Sequence, residues 1–436
     1  MQNFWLARSS ESRYWRHSAF CPRVLVALRI AFLGMPLKSR CLRVKASDNA
    51  RQYESNYVRW PQEWRLDRFF DIARTYNLRI GYASGMNIYP SHTLALGLWR
   101  AWSLAHPVSL SAFHASSKRN GLPLPVHALP SSSVVKAAAS KWADVVAALS
   151  ALPSALLAET IEDAQNERRP LEILVGTKRG ARSTNCIQRH QCQLRFPRNA
   201  FLEMVPEVWV SAPELVFVQM ASRLEYGALL ALGYELCGCY PLGEGSGFQV
   251  RGPLTTPERL VAFSGQLGGA RSAKLARSAA LQVRRKSASI METEVAIAAL
   301  TSRRRGGLGL PPARLNEPFA LGEKGQRIAH QKSVVGDICW WDKGAVVEYD
   351  GRESHGSREA QIRDSRRRDA LLAEGIDVTT ITSSQFANVC EFSTLMGEVS
   401  QKAGKVFRGW RPGQIEKHMK LRQDVRSFHR DYPSRR

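Results

Sequence analysis

The stretch Gly336-Asp337-Ile338-Cys339-Trp340-Trp341-Asp342-Lys343-Gly344-Ala345-Val346-Val347-Glu348-Tyr349-Asp350-Gly351 decides how the C-terminal third folds. Val334–Trp341 and Ala345–Asp350 are short runs rich in β-branched and aromatic residues, and Asp342-Lys343-Gly344 between them carries the turn chemistry of a hairpin. With Lys343-Gly344 as a two-residue turn, Asp342 faces Ala345, Asp337 stands opposite Asp350, and Cys339 stands opposite Glu348. Residues two apart share a face, so Asp337, Glu348 and Asp350 converge on one side. Asp337 and Glu348 are then diagonal neighbours, at the ~7 Å backbone separation from which two side chains can share one cation. Three unpaired carboxylates would repel, and Glu348 follows the apolar Ala345-Val346-Val347, where a lone charge is costly. Two solutions stay open from the residues alone. Either a hard cation, Mg²⁺ (or Mn²⁺), is held by these oxygens, or Arg352, Arg363 or Arg366 pairs with them.

The flanks extend the pattern. Upstream, Met291–Leu300 has helical spacing with Glu292 and Glu294 in the first turn, where negative charge suits the helix dipole. A Gly/Pro-rich loop over Gly306–Pro318 follows, then a strand near Arg327–Gln331. Downstream, Ser357–Glu374 is a long charged helix ended by Gly375, Ile376–Thr382 is a β-branched strand, and a last helix begins near Ser383. The expected order is helix, three strands, helix, strand, helix.

Gly336-Asp337, ten intervening residues, then Val347-Glu348-Tyr349-Asp350-Gly351 with His355 four residues on, resembles the core of the PD-(D/E)XK nuclease superfamily. Within it, the very-short-patch-repair-like branch, a domain of unknown function, shares the V-E-x-D-G-x3-H signature. Arg363-Asp364 through Arg367, Leu371, Gly375 and Val378 is similar to that branch's R-D-x-x-R-x-x-x-L-x-x-x-G-x-x-V segment, and Ile290-Met291-Glu292 to its P-M-E helix start. The resemblance covers about residues 285–390. It implies a restriction-endonuclease-like αβββαβ core and a Mg²⁺- or Mn²⁺-dependent hydrolysis of DNA phosphodiesters. It also implies Asp337 and Glu348 as metal ligands, Glu292 as the helix carboxylate completing the site, and His355 beside the scissile phosphate. Arg363, Arg366 and Arg367 would meet phosphate, and Asp364 would orient a neighbour. Asp350 is the catalytic position at which the superfamily usually carries Lys, the group expected to stabilise developing charge, which an acid cannot do. Gly336 replaces the motif's Pro. Further upstream, Val208–Arg223 is similar to a segment of abortive-infection type IV antitoxin-like proteins, in which such nuclease domains recur.

Before residue 286 the sequence carries elements but little chemistry. Pro61–Tyr76 and a segment from Ser91 to about Pro107 read as helices, residues 115–133 as a loop, and an Ala-rich helical stretch runs to about Gln165. Leu171–Val175, Cys192–Phe196 and Val208–Val210 read as strands. Ser211-Ala212-Pro213-Glu214 reads as a capping box opening a helix to Arg223, and a further helix opens at Thr256-Pro257. Arg271–Lys286 is a basic helix, either a solvated face or a phosphate-contacting one. Cys186, His190, Cys192, Cys237 and Cys239 invite a zinc reading, but their C-x5-C and C-x-C spacings miss the usual ligand pattern. Unpaired thiols in a reducing cytoplasm are expected instead.

The chain is accordingly an α/β (α+β mixed) multidomain protein of 436 residues. Its regions are a basic segment over 1–55, a mainly helical part over 56–168, a small mixed unit over 169–286, the nuclease-like domain over 287–400 and a basic tail over 401–436. Net charge is +24, which favours a polyanionic partner, yet residues 1–51 and 402–436 supply +8 each and the 350 residues between only +8. The longest apolar run, Val24–Met35, is broken by Arg29 and falls short of the ~20 residues a spanning helix needs, so no membrane is expected. The leading expectation is a cytoplasmic Mg²⁺-dependent DNA endonuclease acting on duplex DNA rather than RNA. The alternatives are a DNA-binding, antitoxin-like regulator that keeps the fold without catalysis, and a protein whose N-terminal two thirds bind a protein partner while the basic tails only aid solubility; a toxin is one candidate partner.

Overall fold

The computed structural model describes residues 42–44, 53–55, 87–105, 141–149, 152, 164–166, 169–176, 183–191, 196–197, 199–205, 207–240, 251–267, 269–270, 272–351 and 358–432. The expected helix over Pro61–Tyr76, the loop over 115–133, residues 192–195, Arg352 and His355 lie outside them. The chain divides into two compact units, residues 1–85 with 141–153, and residues 86–140 with 154–436. In the first, Leu42–Val44 pairs antiparallel with Tyr53–Ser55, and Trp142–Leu149 is a helix.

The second unit is mixed α/β. It opens with α1 (His92–Ala105), followed by strands β1 (Leu171–Val175), β2 (Ile187–Gln191), β3 (Phe201–Val205) and β4 (Val208–Ser211). β1 and β2 pair in parallel and β3 and β4 antiparallel. The segment before α1 stitches the two pairs together: Leu174 N donates to Tyr89 O, and Trp209 N donates to Ile88 O. Helices α2 (Pro213–Met220), α3 (Tyr226–Cys237), α4 (Pro257–Gln266) and α5 (Ala273–Ala280) follow. α4 opens at Thr256-Pro257 as expected, and the Thr256 hydroxyl caps it by accepting from Arg259 N. The box expected at Ser211 does not form: Ser211 ends β4, Ala212 occupies the cap position, and Glu214 is buried against Thr255 and Arg259. α3 has no counterpart in the sequence reading. Its Gly227–Cys237 is buried throughout, so it lacks the one-sided apolar stripe by which a surface helix is recognised.

Next come α6 (Ile290–Leu300), β5 (Arg314–Ala320), α7 (Glu323–Ala329), β6 (Ser333–Trp340), β7 (Ala345–Asp350), α8 (Arg358–Ala373) and β8 (Asp377–Thr382). The four strands form one sheet in the order β8-β7-β6-β5, with β7 and β8 parallel and the other neighbours antiparallel. A parallel neighbour requires a crossover, which α8 supplies. Ala370 and Leu371 of α8 pack with Val334, Cys339, Val346 and Ile376 in one buried cluster. Gly336 is required by that packing, because a Cβ there would lie 2.5 Å from Val346 Cγ2 and 2.8 Å from Cys339 Sγ.

Three expectations in this region are corrected. The strand expected near Arg327–Gln331 is helix α7, and the first strand of the sheet instead occupies the end of the expected loop. Pro318 disguised it, but β5 is an edge strand and tolerates a residue with no N–H. The β6–β7 turn is not two residues long: Trp341–Lys343 forms a 3₁₀ turn closed by Gly344 at φ +64°, so Cys339 pairs with Val346 and Trp340 with Ala345. The register slips by two residues, which leaves every side chain on its expected face.

The chain continues through α9 (Ser383–Ala387) and α10 (Val389–Lys402) to α11 (Gln414–Asp431). Residues 401–436, read as a basic tail, therefore include an 18-residue helix. Its Leu421, Val425 and Phe428, at spacings of four and three, are buried against α3. Among the described residues no helix is long and apolar enough to cross a membrane.

Candidate functional site

Two groups of ionisable side chains lie in the second unit. The first lies on the four-stranded sheet. Asp337 of β6 accepts a hydrogen bond at Oδ2 from the Tyr349 N–H, 2.9 Å away. Glu348 of β7 accepts at Oε1 from Arg367 Nη2 of α8, 2.5 Å away, and the same guanidinium donates to Val335 O. Glu292 stands in the first turn of α6, where its N–H donates to Ser289 Oγ at 3.1 Å. Glu292 Oε2 accepts from Ala288 N at 3.0 Å and from Asn316 Nδ2 of β5 at 2.7 Å.

These carboxylates act on one another. Burial, then the charge of Glu292, pushes Asp337 up to about 7, Glu348 adds to the rise, and the Tyr349 N–H and Arg367 oppose it. Burial likewise raises Glu348, while Arg367 and Arg368 pull it back. Sheet, hairpin and helix thus bring Asp337, Glu348 and Glu292 together with Arg367. Asp350 ends β7, exposed, in register with Thr382 of β8. Arg363 and Arg366 are exposed on α8, and His355 lies outside the described residues. The donor set, carboxylate oxygens only, suits a hard cation. The three carboxylates do not lie close enough to form a ready metal cluster.

The second group was only half visible in the sequence. His92, Glu172 and His190 place one nitrogen or carboxylate oxygen each within 4.8 Å of one another. Ser91 N donates to Glu172 O, which sets the first turn of α1 against β1. Glu172 Oε2 accepts from Thr93 N at 2.9 Å and from the Thr93 hydroxyl. Its Oε1 is 3.0 Å from His190 Nε2 of β2 and 2.5 Å from Arg223 Nη1. His92 adopts φ +47°, its N–H donates to Gln219 Oε1 at 3.0 Å, and its ring lies 4.1 Å from that of His190. Burial, helped by His190, drives His92 down to about 3, so the imidazole is neutral. Burial pushes Glu172 up, but bonds from His190 and Thr93 and the charge of Arg223 outweigh it and hold the carboxylate ionised.

The sequence groups His190 with Cys186 and Cys192. Cys186, Cys237 and Cys239 are free thiols, and His190 faces Glu172 instead. The one local signal was Ser91-His92 at a helix start, which says nothing about partners far along the chain. No family model, no curated protein and no solved structure matches this chain.

Proposed function

We propose that the four-stranded sheet with α6 and α8 is the catalytic part of a cytoplasmic, Mg²⁺- or Mn²⁺-dependent endodeoxyribonuclease of the PD-(D/E)XK type. One observation carries the reading: Asp337 and Glu348, on neighbouring strands, are half-buried beside Glu292, and burial raises both acids. A cation relieves that cost. The helix, strand, strand, strand, helix, strand order, with α7 as an insertion, is the one the motif resemblance implies. Asp337 and Glu348 would hold the cation, which when bound supplies activation of water and stabilisation of phosphate charge. Glu292, fixed by Ala288 N and Asn316, completes the acidic edge. Arg363 and Arg366, exposed on α8, would lie against the DNA backbone, and His355 is assigned to the scissile phosphate. Conversion of supercoiled plasmid in Mg²⁺ or Mn²⁺, with Asp337→Ala/Glu348→Ala alongside, tests the assignment.

A second reading is supported by the Arg367–Glu348 ion pair, together with Asp350 where a nuclease usually carries Lys. In it the sheet is a DNA-binding scaffold of an antitoxin-like regulator without catalysis, open to a toxin or other protein partner. Tight, salt-sensitive DNA binding with no cleavage in either ion would favour it.

A further inference from the structure

We propose that His92, Glu172 and His190 form a binding site for one borderline divalent transition ion of the Zn²⁺ class, guarded in its metal-free form by Arg223. The site does not depend on the reading of the sheet, from which it shares no residue.

The chemistry of the donors selects the ion. Two imidazoles and one carboxylate match transition ions such as Zn²⁺, whereas Mg²⁺ takes oxygen ligands. The donor atoms already lie within 4.8 Å of one another, so no backbone movement is needed to gather them. Supporting bonds orient the ligands in the manner of established metal centres. His92 Nδ1 lies 3.0 Å from Ser91 Oγ, so that in the tautomer with Nδ1 as donor Nε2 carries the lone pair. Glu172 Oε2 is tied to Thr93, which leaves Oε1 as the oxygen facing His190. The three residues are held by separate elements, α1, β1 and β2: the backbone bonds of residues 89–91 fix the start of α1 to β1, and β2 pairs with β1 in parallel. His92 also keeps a left-handed φ, unusual for a residue with a Cβ.

Arg223 occupies the place of a cation. Its Nη1 lies on Glu172 Oε1 and its Nη2 is 3.3 Å from His190 Nε2. One nitrogen cannot both donate to the carboxylate and accept from the guanidinium, so this trio is over-committed. The Arg223 side chain is 33% exposed and can withdraw to solvent. Ion binding exchanges that guanidinium for metal and sends any Nε2 proton of His190 to Nδ1 or to water.

Zn²⁺ titration calorimetry on the full chain under reducing conditions tests this, run in the Asp337→Ala/Glu348→Ala background so that the sheet acids do not contribute. One Zn²⁺ per chain is expected, with affinity falling by about tenfold or more in His92→Gln and in His190→Gln. Arg223→Gln should bind severalfold more tightly, a gain that a purely structural cluster would not produce. Co²⁺ should give visible ligand-field bands without the thiolate charge-transfer absorption expected of Cys186, Cys239 or Cys390. No stoichiometric binding, unchanged affinity in a folded His190→Gln, a thiolate spectrum, or no tightening in Arg223→Gln would each overturn the proposal. Arg223→Gln decides the matter should the histidine variants fail to fold.

Discussion

Arg367 donates to Glu348 at 2.5 Å, so the carboxylate that the sequence marks as the second metal ligand has a guanidinium from α8 as its counter-ion. A cation arriving at Asp337 and Glu348 must share Glu348 with Arg367 or displace it. Arg367→Gln should therefore tighten Mg²⁺ binding by about fivefold, the ~1 kcal/mol scale of a partly exposed ion pair. Calorimetry measures it, and weaker binding would make Arg367 a supporting group rather than a competitor.

Burial and the neighbouring charge of Glu292 push Asp337 up to about 7. Its folded value, about 7, lies above the unfolded value of 3.8, so the folded protein holds the proton to higher pH. The associated stability is complete below 3.8 and is lost as pH rises to about 7. Asp337→Asn should thus exceed the wild type in stability at pH 8, by roughly 4 kcal/mol, and match it below pH 3.8. Urea denaturation without divalent ions reads this directly. With Mg²⁺, ion and proton compete, so affinity should fall by about tenfold per pH unit below 7.

His418 of α11 is buried, and its Nδ1 lies 2.8 Å from Gly306 O. Burial holds its pKa at about 4, below the unfolded 6.5. Its contribution is complete above pH 6.5 and disappears as pH falls to 4, a loss of about 3 kcal/mol. A His418→Phe variant should show a correspondingly shallower acid limb in denaturant titrations across that window.

Arg100 grips both oxygens of Glu235, at 2.7 and 2.8 Å, and donates to Tyr432 O at 2.8 Å, joining α1, α3 and the end of α11. Both side chains are at most 10% exposed. Arg100→Met leaves a buried carboxylate without its partner and should cost about 3–5 kcal/mol. Glu235→Leu added to it should restore much of the loss, which a double-mutant cycle in urea would show.

The hairpin was legible because alternation fixes faces even when the turn is misjudged: the two-residue slip left Asp337 and Glu348 on one side. α8, Gly375 and β8 were legible for similarly local reasons, a charged helix, a left-handed stop and a β-branched run. β5 was hidden by Pro318, and α3 by its uniform burial. α11 was hidden by basic residues whose count drew attention from Leu421, Val425 and Phe428. The His92–Glu172–His190 cluster was legible only in part, because its members meet through the pairing of residues 89–91 with β1 and of β1 with β2, long-range contacts that no local spacing encodes.

Asp337 and Glu348 are tested together by the conversion of supercoiled plasmid to nicked and linear forms across a Mg²⁺ titration. The wild type should cut in proportion to bound Mg²⁺, and Asp337→Ala/Glu348→Ala, folded and still binding DNA, should not cut at any concentration. Equal cleavage by the two proteins, or a wild type that binds duplex DNA and leaves it intact in both Mg²⁺ and Mn²⁺, would contradict their role as metal ligands.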